Sequence, residues 1–133
     1  MRLVHTILYP VKKIFDLEDR LVRFAVSNIK LSSTLYYSTW RHHISSQLIR
    51  SGNSAALNYG EAQGAESKRD FQHKLRLVLK ELRETSVSLK IIKEAELSKD
   101  LRGVNKLLKE SDELIAIFVK SLNTSSSKNS KTS

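Results

Sequence analysis

The chain has 133 residues with one proline, four glycines and no cysteine, which fits a single domain and excludes disulfides and thiolate metal sites. Its 23 basic and 14 acidic residues give a net charge of +9, which favours an acidic partner: RNA, DNA, an acidic protein or a membrane surface. A basic protein without such a partner has the same composition. No apolar run reaches the roughly 18 residues of a membrane span, so we expect a cytoplasmic protein with no membrane partner.

Periodicity predicts an all-α protein. Residues 1–14 are an N-terminal extension to which we assign no structure. Apolar residues at alternating steps of four and three then predict helices over about residues 14–31, 39–63, 68–95 and 99–122. These steps average 3.5 residues, so residues 15–123 are predicted to form an antiparallel up-down-up-down four-helix bundle. The polar, low-complexity residues 124–133 are predicted to be a disordered tail.

Two helix starts have recognisable caps. Ser67 is a predicted N-cap of the third helix, and Asp70 lies in the first turn, where an acid meets the positive helix end. Ser98 is predicted to cap the fourth helix.

The apolar line of each helix includes polar residues, namely Asn28, Ser51 with Asn58, Thr85 and Ser111. Asn58 and Glu61 are three residues apart and share a helix face, with Ser51 two turns upstream. We interpret Ser51, Asn58 and Glu61 as a buried polar network that sets helix register; the alternative is that such lines turn outward. Small residues around them, including Gly52 and Gly60, allow another backbone to come close.

The third predicted helix holds much of the positive charge. Between Ser67 and Lys93 there are 8 basic and 3 acidic residues, so this segment contributes 8 − 3 = +5. The candidate nucleic-acid-binding residues are Lys68, Arg69, Arg76, Lys80, Arg83 and Lys90, and all but Lys68 follow helical steps of 7, 4, 3 and 7. Such a row can contact successive phosphates. The alternative is a solvated face partly balanced by Glu81 and Glu84. Arg41 and Arg50 of the second helix are possible extensions.

Aromatic residues cluster before and at the start of the second helix. Trp40 lies at helical spacing from Ile44 and is predicted to join the core. Tyr36 and Tyr37 lie in a connection, where they could stack on bases, close the end of the bundle or face another subunit.

Signatures of catalysis and of metal binding are missing from the sequence. His42 and His43 are adjacent, so on a helix they point about 100° apart and cannot both hold one ion well. The Glu-x-x-His pairs of di-iron bundles, the phosphate-binding loop and the nucleophile elbow do not occur. We therefore expect no enzyme activity, no catalytic residues, no metal site and no cofactor.

Residues 47–71, QLIRSGNSAALNYGEAQGAESKRDF, combine polar positions on a helix with a defined helix break, and Phe15–Leu21 supplies a matching start. With these features the chain resembles the four-helix-bundle family of 23S rRNA intervening-sequence proteins over about residues 15–122. The positions that carry the resemblance are Gln47, Leu48, Arg50, Ser51, Ser54, Asn58, Glu61, Gly64, Ser67, Asp70, Phe71, His73, Lys74, Leu75, Glu81, Leu82 and Glu84.

The resemblance implies a ring-forming homo-oligomer, a homopentamer, and RNA rather than DNA as a partner. It also implies similarity in fold to accessory proteins of diversity-generating retroelements. Two functional hypotheses remain open. In the first, the chain is an oligomeric module that binds structured RNA, such as rRNA, through the basic helix. In the second, it is an oligomeric scaffold for a protein partner, and its charge only keeps it soluble.

Overall fold

The computed structural model describes the backbone of residues 12–132 and the side chains of residues 17–125. Four helices account for most of these residues, namely α1 Lys12–Ser32, α2 Arg41–Gln63, α3 Lys68–Glu94 and α4 Leu101–Thr132. Each helix packs against the next one in the chain, and α4 returns to contact α1. This arrangement places α1 and α3 diagonally across the bundle. The predicted all-α, up-down-up-down four-helix bundle is confirmed.

The core is made of the apolar lines that the sequence predicts. Its largest fully buried side chains include Phe24, Leu48, Leu82, Leu114 and Phe118, so all four helices contribute. The rings of Tyr59 and Phe118 meet edge to face with centroids 5.6 Å apart, and burial raises the pKa of the Tyr59 hydroxyl. Among residues 12–132, none of the helices has an apolar stretch long enough to cross a membrane.

Of the two predicted helix caps, the one at Ser67 is confirmed and the one at Ser98 is wrong. Ser67 caps α3 as predicted, because its side chain accepts a hydrogen bond from the backbone N–H of Asp70 at 3.0 Å. The cap of α4 is Asp100 instead of Ser98: Asp100 Oδ1 accepts from the backbone N–H of Gly103 at 2.9 Å. Ser98 lies two residues before Asp100, and its hydroxyl accepts a hydrogen bond from the backbone N–H of Asp100 at 2.9 Å.

Helix α3 ends in a Schellman motif whose key position is not glycine. The N–H of Leu97 donates to the carbonyl of Ile92 at 2.9 Å, and the N–H of Glu96 donates to that of Lys93 at 3.1 Å. This motif needs a left-handed residue at the second position after the helix, and Glu96 occupies that position with φ = 54°. A side chain at that φ is strained, so the turn stores a local cost.

Two helices are longer than predicted. Helix α1 begins at Lys12, so residues 12–14 of the expected extension are helical, while residues 1–11 and 133 lie outside the described part. Helix α4 continues to Thr132, although we expected it to end near residue 122 and to be followed by a disordered tail. Residues 123–132 contain no proline or glycine, and lengthening an existing helix needs no new nucleus. Gln72 of α3 also donates to the Ser125 hydroxyl at 2.6 Å.

The contact between α1 and α4 is the most open seam of the bundle, and a groove of about 730 Å³ lies along it. A bidentate ion pair between an arginine of α1 and a glutamate of α4 crosses this seam. Arg20 Nε and Nη2 donate to the two carboxylate oxygens of Glu110 at 2.8 and 2.7 Å, and Nη2 also reaches Glu113 at 3.2 Å. The hydrogen bond to Glu110 is the main cause that raises the pKa of Arg20. This pair joins the first helix to the last.

Candidate nucleic-acid interface

Helix α3 carries a row of cations on its outward face. We call this row the basic ridge, and it consists of Arg69, Arg76, Lys80, Arg83 and Lys90, all of which are exposed. At about 100° per residue these five positions lie within an arc of about 80°, and at 1.5 Å per residue they extend over about 32 Å. Lys68 is also exposed but lies about 80° from Arg76, outside that arc. Five of the six predicted binding residues therefore share one surface.

The two acids expected to balance the ridge, Glu81 and Glu84, both pair with a cation of α2. Arg50 of α2 donates from Nη1 to Glu81 at 3.1 Å and from Nη2 to Glu84. The hydrogen bond to Glu84 is the main cause that raises the pKa of Arg50. Arg50 therefore pairs with these acids and does not extend the ridge. Among the described residues, the remaining acid on the ridge face is the exposed Glu94, one turn beyond Lys90.

The middle of the ridge borders an open depression of about 670 Å³. Its lining combines apolar and charged side chains, namely Arg76, Leu79, Lys80, Arg83, Glu84 and Val87. Val87 is 54% exposed and lies between the cations. Ammonium and guanidinium groups can bind phosphate oxygens, whereas Leu79 and Val87 offer no hydrogen bonds to base edges. The surface is therefore suited to a phosphate backbone.

Aromatic residues lie away from this depression. Trp40 is half-buried and packs against the core, which confirms the prediction for it. Tyr36 and Tyr37 are 48% and 91% exposed in the connection between α1 and α2, so they do not close the end of the bundle. Leu35, which is 1% exposed, fills that place. Of the three roles considered for the tyrosines, base stacking and contact with another subunit remain.

The prediction that Ser51, Asn58 and Glu61 form a buried polar network is wrong. Glu61 leaves 58% of its side chain exposed and accepts from Lys74 Nζ at 2.7 Å, a hydrogen bond that raises the pKa of Lys74. Asn58 donates to the carbonyl of Ser54 in its own helix at 2.8 Å. Only Ser51 is fully buried, and it bonds to Thr85 of α3. The three residues share a helix, but the face through Asn58 and Glu61 turns toward solvent.

Each helix contributes one polar residue that is almost completely buried. Asn28, Ser51, Thr85 and Ser111 are each at most 1% exposed. Only the 2.7 Å bond between the Ser51 and Thr85 hydroxyls joins two helices. Asn28 and Ser111 donate to carbonyls of their own helices, and Asn28 Oδ1 accepts no hydrogen bond from the described residues. Four of the five polar residues on the predicted apolar lines are therefore buried, and Asn58 is the exception.

Glu81 is the buried carboxylate that sequence reasoning missed. Its residue exposure is 9%, and its partner Arg50 is 31 residues away in the sequence. Its position between Val78 and Leu82, both 0% exposed, places it at the edge of the buried face of α3. The apolar residues next to Glu81 in the sequence could have indicated its burial. Its pairing with Arg50 could not be predicted, because the two residues are far apart in the sequence.

The histidines lie on the surface. His42, His43 and His73 are exposed. Among the described residues, no three His, Cys, Asp or Glu side chains are grouped so that they could hold a metal ion.

Comparison with known proteins identifies a family and a similar solved structure. The family model of the 23S rRNA-intervening sequence protein matches residues 10–120. A crystal structure of a protein of unknown function from the S23 ribosomal protein family of Bacteroides thetaiotaomicron VPI-5482 is similar, with 27% identity and a TM-score of 0.69. The match covers 80% of this chain and 97% of that one. No curated protein matches. Because the family model spans most of the chain, as the motif in residues 47–71 predicted, this chain belongs to the 23S rRNA-intervening sequence protein family.

Proposed function

We propose that this protein is a non-enzymatic, cytoplasmic RNA-binding module that holds structured RNA by its phosphate backbone through the basic ridge. The observation that carries the proposal is the row of five exposed cations along about 32 Å of α3, none of which forms an ion pair within the described part of the chain. Arg50 pairs with Glu81 and Glu84 and offsets one of their two negative charges, so the ridge keeps a clear excess of positive charge. A row of this kind binds polyanions without sequence readout, and each neutralised phosphate releases counterions.

The preference for RNA over DNA rests on the family's connection with 23S rRNA and not on the geometry of the ridge. Successive ridge cations are about 3 to 7 residues apart, which corresponds to about 4.5 to 10.5 Å along the helix axis at 1.5 Å per residue. A rigid helix with this spacing can follow the phosphates of either an RNA or a DNA duplex. A competition between RNA and DNA duplexes of one sequence measures this preference directly. Equal affinity for both would remove RNA from the proposal and leave a general polyanion-binding surface.

The test of the ridge compares two variants with the same loss of charge. The ridge variant carries Arg76→Gln, Lys80→Gln and Arg83→Gln. The control variant carries Lys30→Gln, Lys106→Gln and Lys109→Gln, which remove three cations beside the groove between α1 and α4. We expect the ridge variant to bind a duplex RNA at least about tenfold more weakly than the wild type at low salt. Equal weakening in both variants would show that net charge, and not the ridge, drives binding.

We further propose that the protein assembles with itself, as a homopentamer. The number five comes from the family resemblance, whereas self-association is supported by an apolar stripe on α1. Val22, Val26 and Ile29 recur at helical spacing and are 48%, 42% and 44% exposed. Since α1 and α3 lie diagonally across the bundle, a subunit docked on this stripe leaves the basic ridge free. Several ridges on one particle would then strengthen binding to a polyanion through multivalency.

Sedimentation equilibrium of the wild type and of Val26→Glu tests the assembly. A charge in the middle of the stripe should shift the protein toward the monomer, while Leu57→Glu, at a single 67% exposed leucine on α2, serves as the control. A wild type that remains monomeric at all concentrations would contradict the assembly.

The apolar stripe equally supports the second candidate function, an interaction scaffold for a protein partner. The two functions differ in what they need from the basic ridge. An RNA-binding module loses its partner when the ridge is neutralised. A scaffold keeps its partner in the ridge variant and after nuclease treatment, and loses it when Val26 is charged.

A further inference from the structure

The connection between α1 and α2 presents two tyrosines on a rigid base. Its backbone is held by the connection between α3 and α4: the N–H of Tyr36 donates to the carbonyl of Leu97 at 2.9 Å, and the N–H of Lys99 donates to that of Thr34 at 2.8 Å. The Thr34 and Ser98 hydroxyls are also 2.6 Å apart. The rings of Tyr36 and Tyr37 nevertheless remain exposed. Little ordering of the chain is therefore needed before these rings can stack on a ligand.

A lysine ammonium group lies close to the ring of Tyr36. Lys99 Nζ lies 5.8 Å from the ring centroid of Tyr36, within the range of a cation–π contact. Arg102, in the first turn of α4, is also exposed. The same connection carries the acids Glu96 and Asp100, but one carboxylate oxygen of Asp100 is engaged in capping α4. A site with exposed π faces and nearby ammonium and guanidinium groups suits a nucleobase with its phosphate.

The basic ridge leads toward this end of the bundle. Its last cation, Lys90, is four residues, or about 6 Å of rise, from the end of α3 at Glu94. Leu97, which holds the backbone of Tyr36, follows three residues later. The ridge therefore ends at the same end of the bundle as the tyrosines, and a strand that lies along it is led to that end.

We infer that Tyr36, Tyr37 and Lys99 form a stacking site for an unpaired nucleotide of the RNA whose paired region lies on the basic ridge. This inference rests on the proposed RNA-binding function and adds to it the class of RNA: a duplex with an adjoining single-stranded end or loop. Stacking on tyrosine tolerates any base, because every base has a π face. The protein would then recognise the junction between paired and unpaired RNA and not a sequence.

The experiment uses the full chain and two RNAs that share one duplex. One RNA is blunt, and the other carries a five-nucleotide single-stranded end. We expect the wild type to prefer the second RNA by about 5- to 150-fold, the range for stacking of one base. Tyr36→Leu with Tyr37→Leu should abolish this preference and leave affinity for the blunt duplex unchanged. Tyr36→Phe with Tyr37→Phe keeps both rings and should retain the preference.

Each other outcome has a distinct meaning. Equal affinity of the wild type for both RNAs, with the ridge variant still weakened, overturns the stacking site and leaves the ridge intact. Binding of the single-stranded end alone keeps the stacking site and rejects the ridge, and binding of neither RNA rejects both. If the leucine variant changes the oligomeric state in sedimentation, the tyrosines face another subunit and the inference is wrong.

Discussion

Gly52 offers a test of the packing between α1 and α2. It lies inside α2 and is buried against Asn28 of α1, so a Cβ built on it would lie 3.2 Å from Asn28 Nδ2 and 3.6 Å from Asn28 Cβ and Cγ. Asn28 has little room to yield, because it is 0% exposed and its Nδ2 donates to the carbonyl of Phe24 at 2.9 Å. We predict that Gly52→Ala destabilises the protein although alanine is the better helix former.

The size of the effect follows from opposing contributions. Exchange of glycine for alanine inside a helix favours folding by about 1 kcal/mol. Forcing an extra methyl into a packed site costs about 1 to 3 kcal/mol, and displacing the Asn28 amide loses a hydrogen bond of about 1 kcal/mol. We therefore expect a net loss of about 1 to 3 kcal/mol in the free energy of unfolding.

Gly60 supplies a matched control in the same helix. Its added Cβ would meet only Glu18 Oε1 at 3.7 Å, an ordinary contact. Gly60→Ala should therefore stabilise the protein by about 0.5 to 1 kcal/mol. Urea denaturation followed by circular dichroism, at one protein concentration, measures both variants. Equal stabilisation by the two alanines would refute the close approach of Asn28, whereas recovery of Gly52→Ala by a second change, Asn28→Ser, would support it.

Three further changes in stability follow from the contacts, each measured by the same urea assay. Glu96→Gly should stabilise the protein by about 0.5 to 1 kcal/mol because it relieves a left-handed backbone at φ = 54°, and a loss of stability would show that the Schellman turn is not strained. Ser51→Ala and Thr85→Val should each cost about 1 kcal/mol and the double variant less than their sum, whereas strict additivity would mean that the 2.7 Å hydrogen bond contributes nothing. Arg50→Met should cost about 1 kcal/mol because it leaves Glu81, whose side chain is only 12% exposed, without its cation, and an unchanged stability would argue against that pair.

Local features of the fold could be predicted well. The 3–4 spacing of apolar residues depends only on neighbours along a helix, and it placed all four helices and most of the core. The cap at Ser67 could be found for the same reason, since its partner Asp70 is three residues away. The helix ends were harder. Ser98 and Asp100 are both good N-cap types two residues apart, and only the observed turn selects Asp100.

The site depended on relations that helix spacing cannot supply. Spacing showed that Asn58 and Glu61 share a face, but whether a face turns inward depends on which helix packs against it. Glu81 lies one residue from Leu82 and proved buried, whereas Glu61 is exposed. Glu81 pairs with Arg50 of a different helix, and this pair changes how much negative charge faces the ridge. The exposure of the ridge cations was predictable from the sequence, but the pairing of Glu81 with Arg50 was not.

The salt dependence of RNA binding tests the central claim most directly. The measurement compares the wild type with the ridge variant, which lacks the charges of Arg76, Lys80 and Arg83. The affinity of each for one duplex RNA is measured at about 50 and 200 mM salt, between which the Debye length falls by about half. If these cations neutralise three phosphates, the slope of log K against log salt should differ by about 2 to 2.7, so the advantage of the wild type should shrink by about 20- to 40-fold across that range. Identical slopes for the two proteins would show that the ridge does not bind the phosphate backbone.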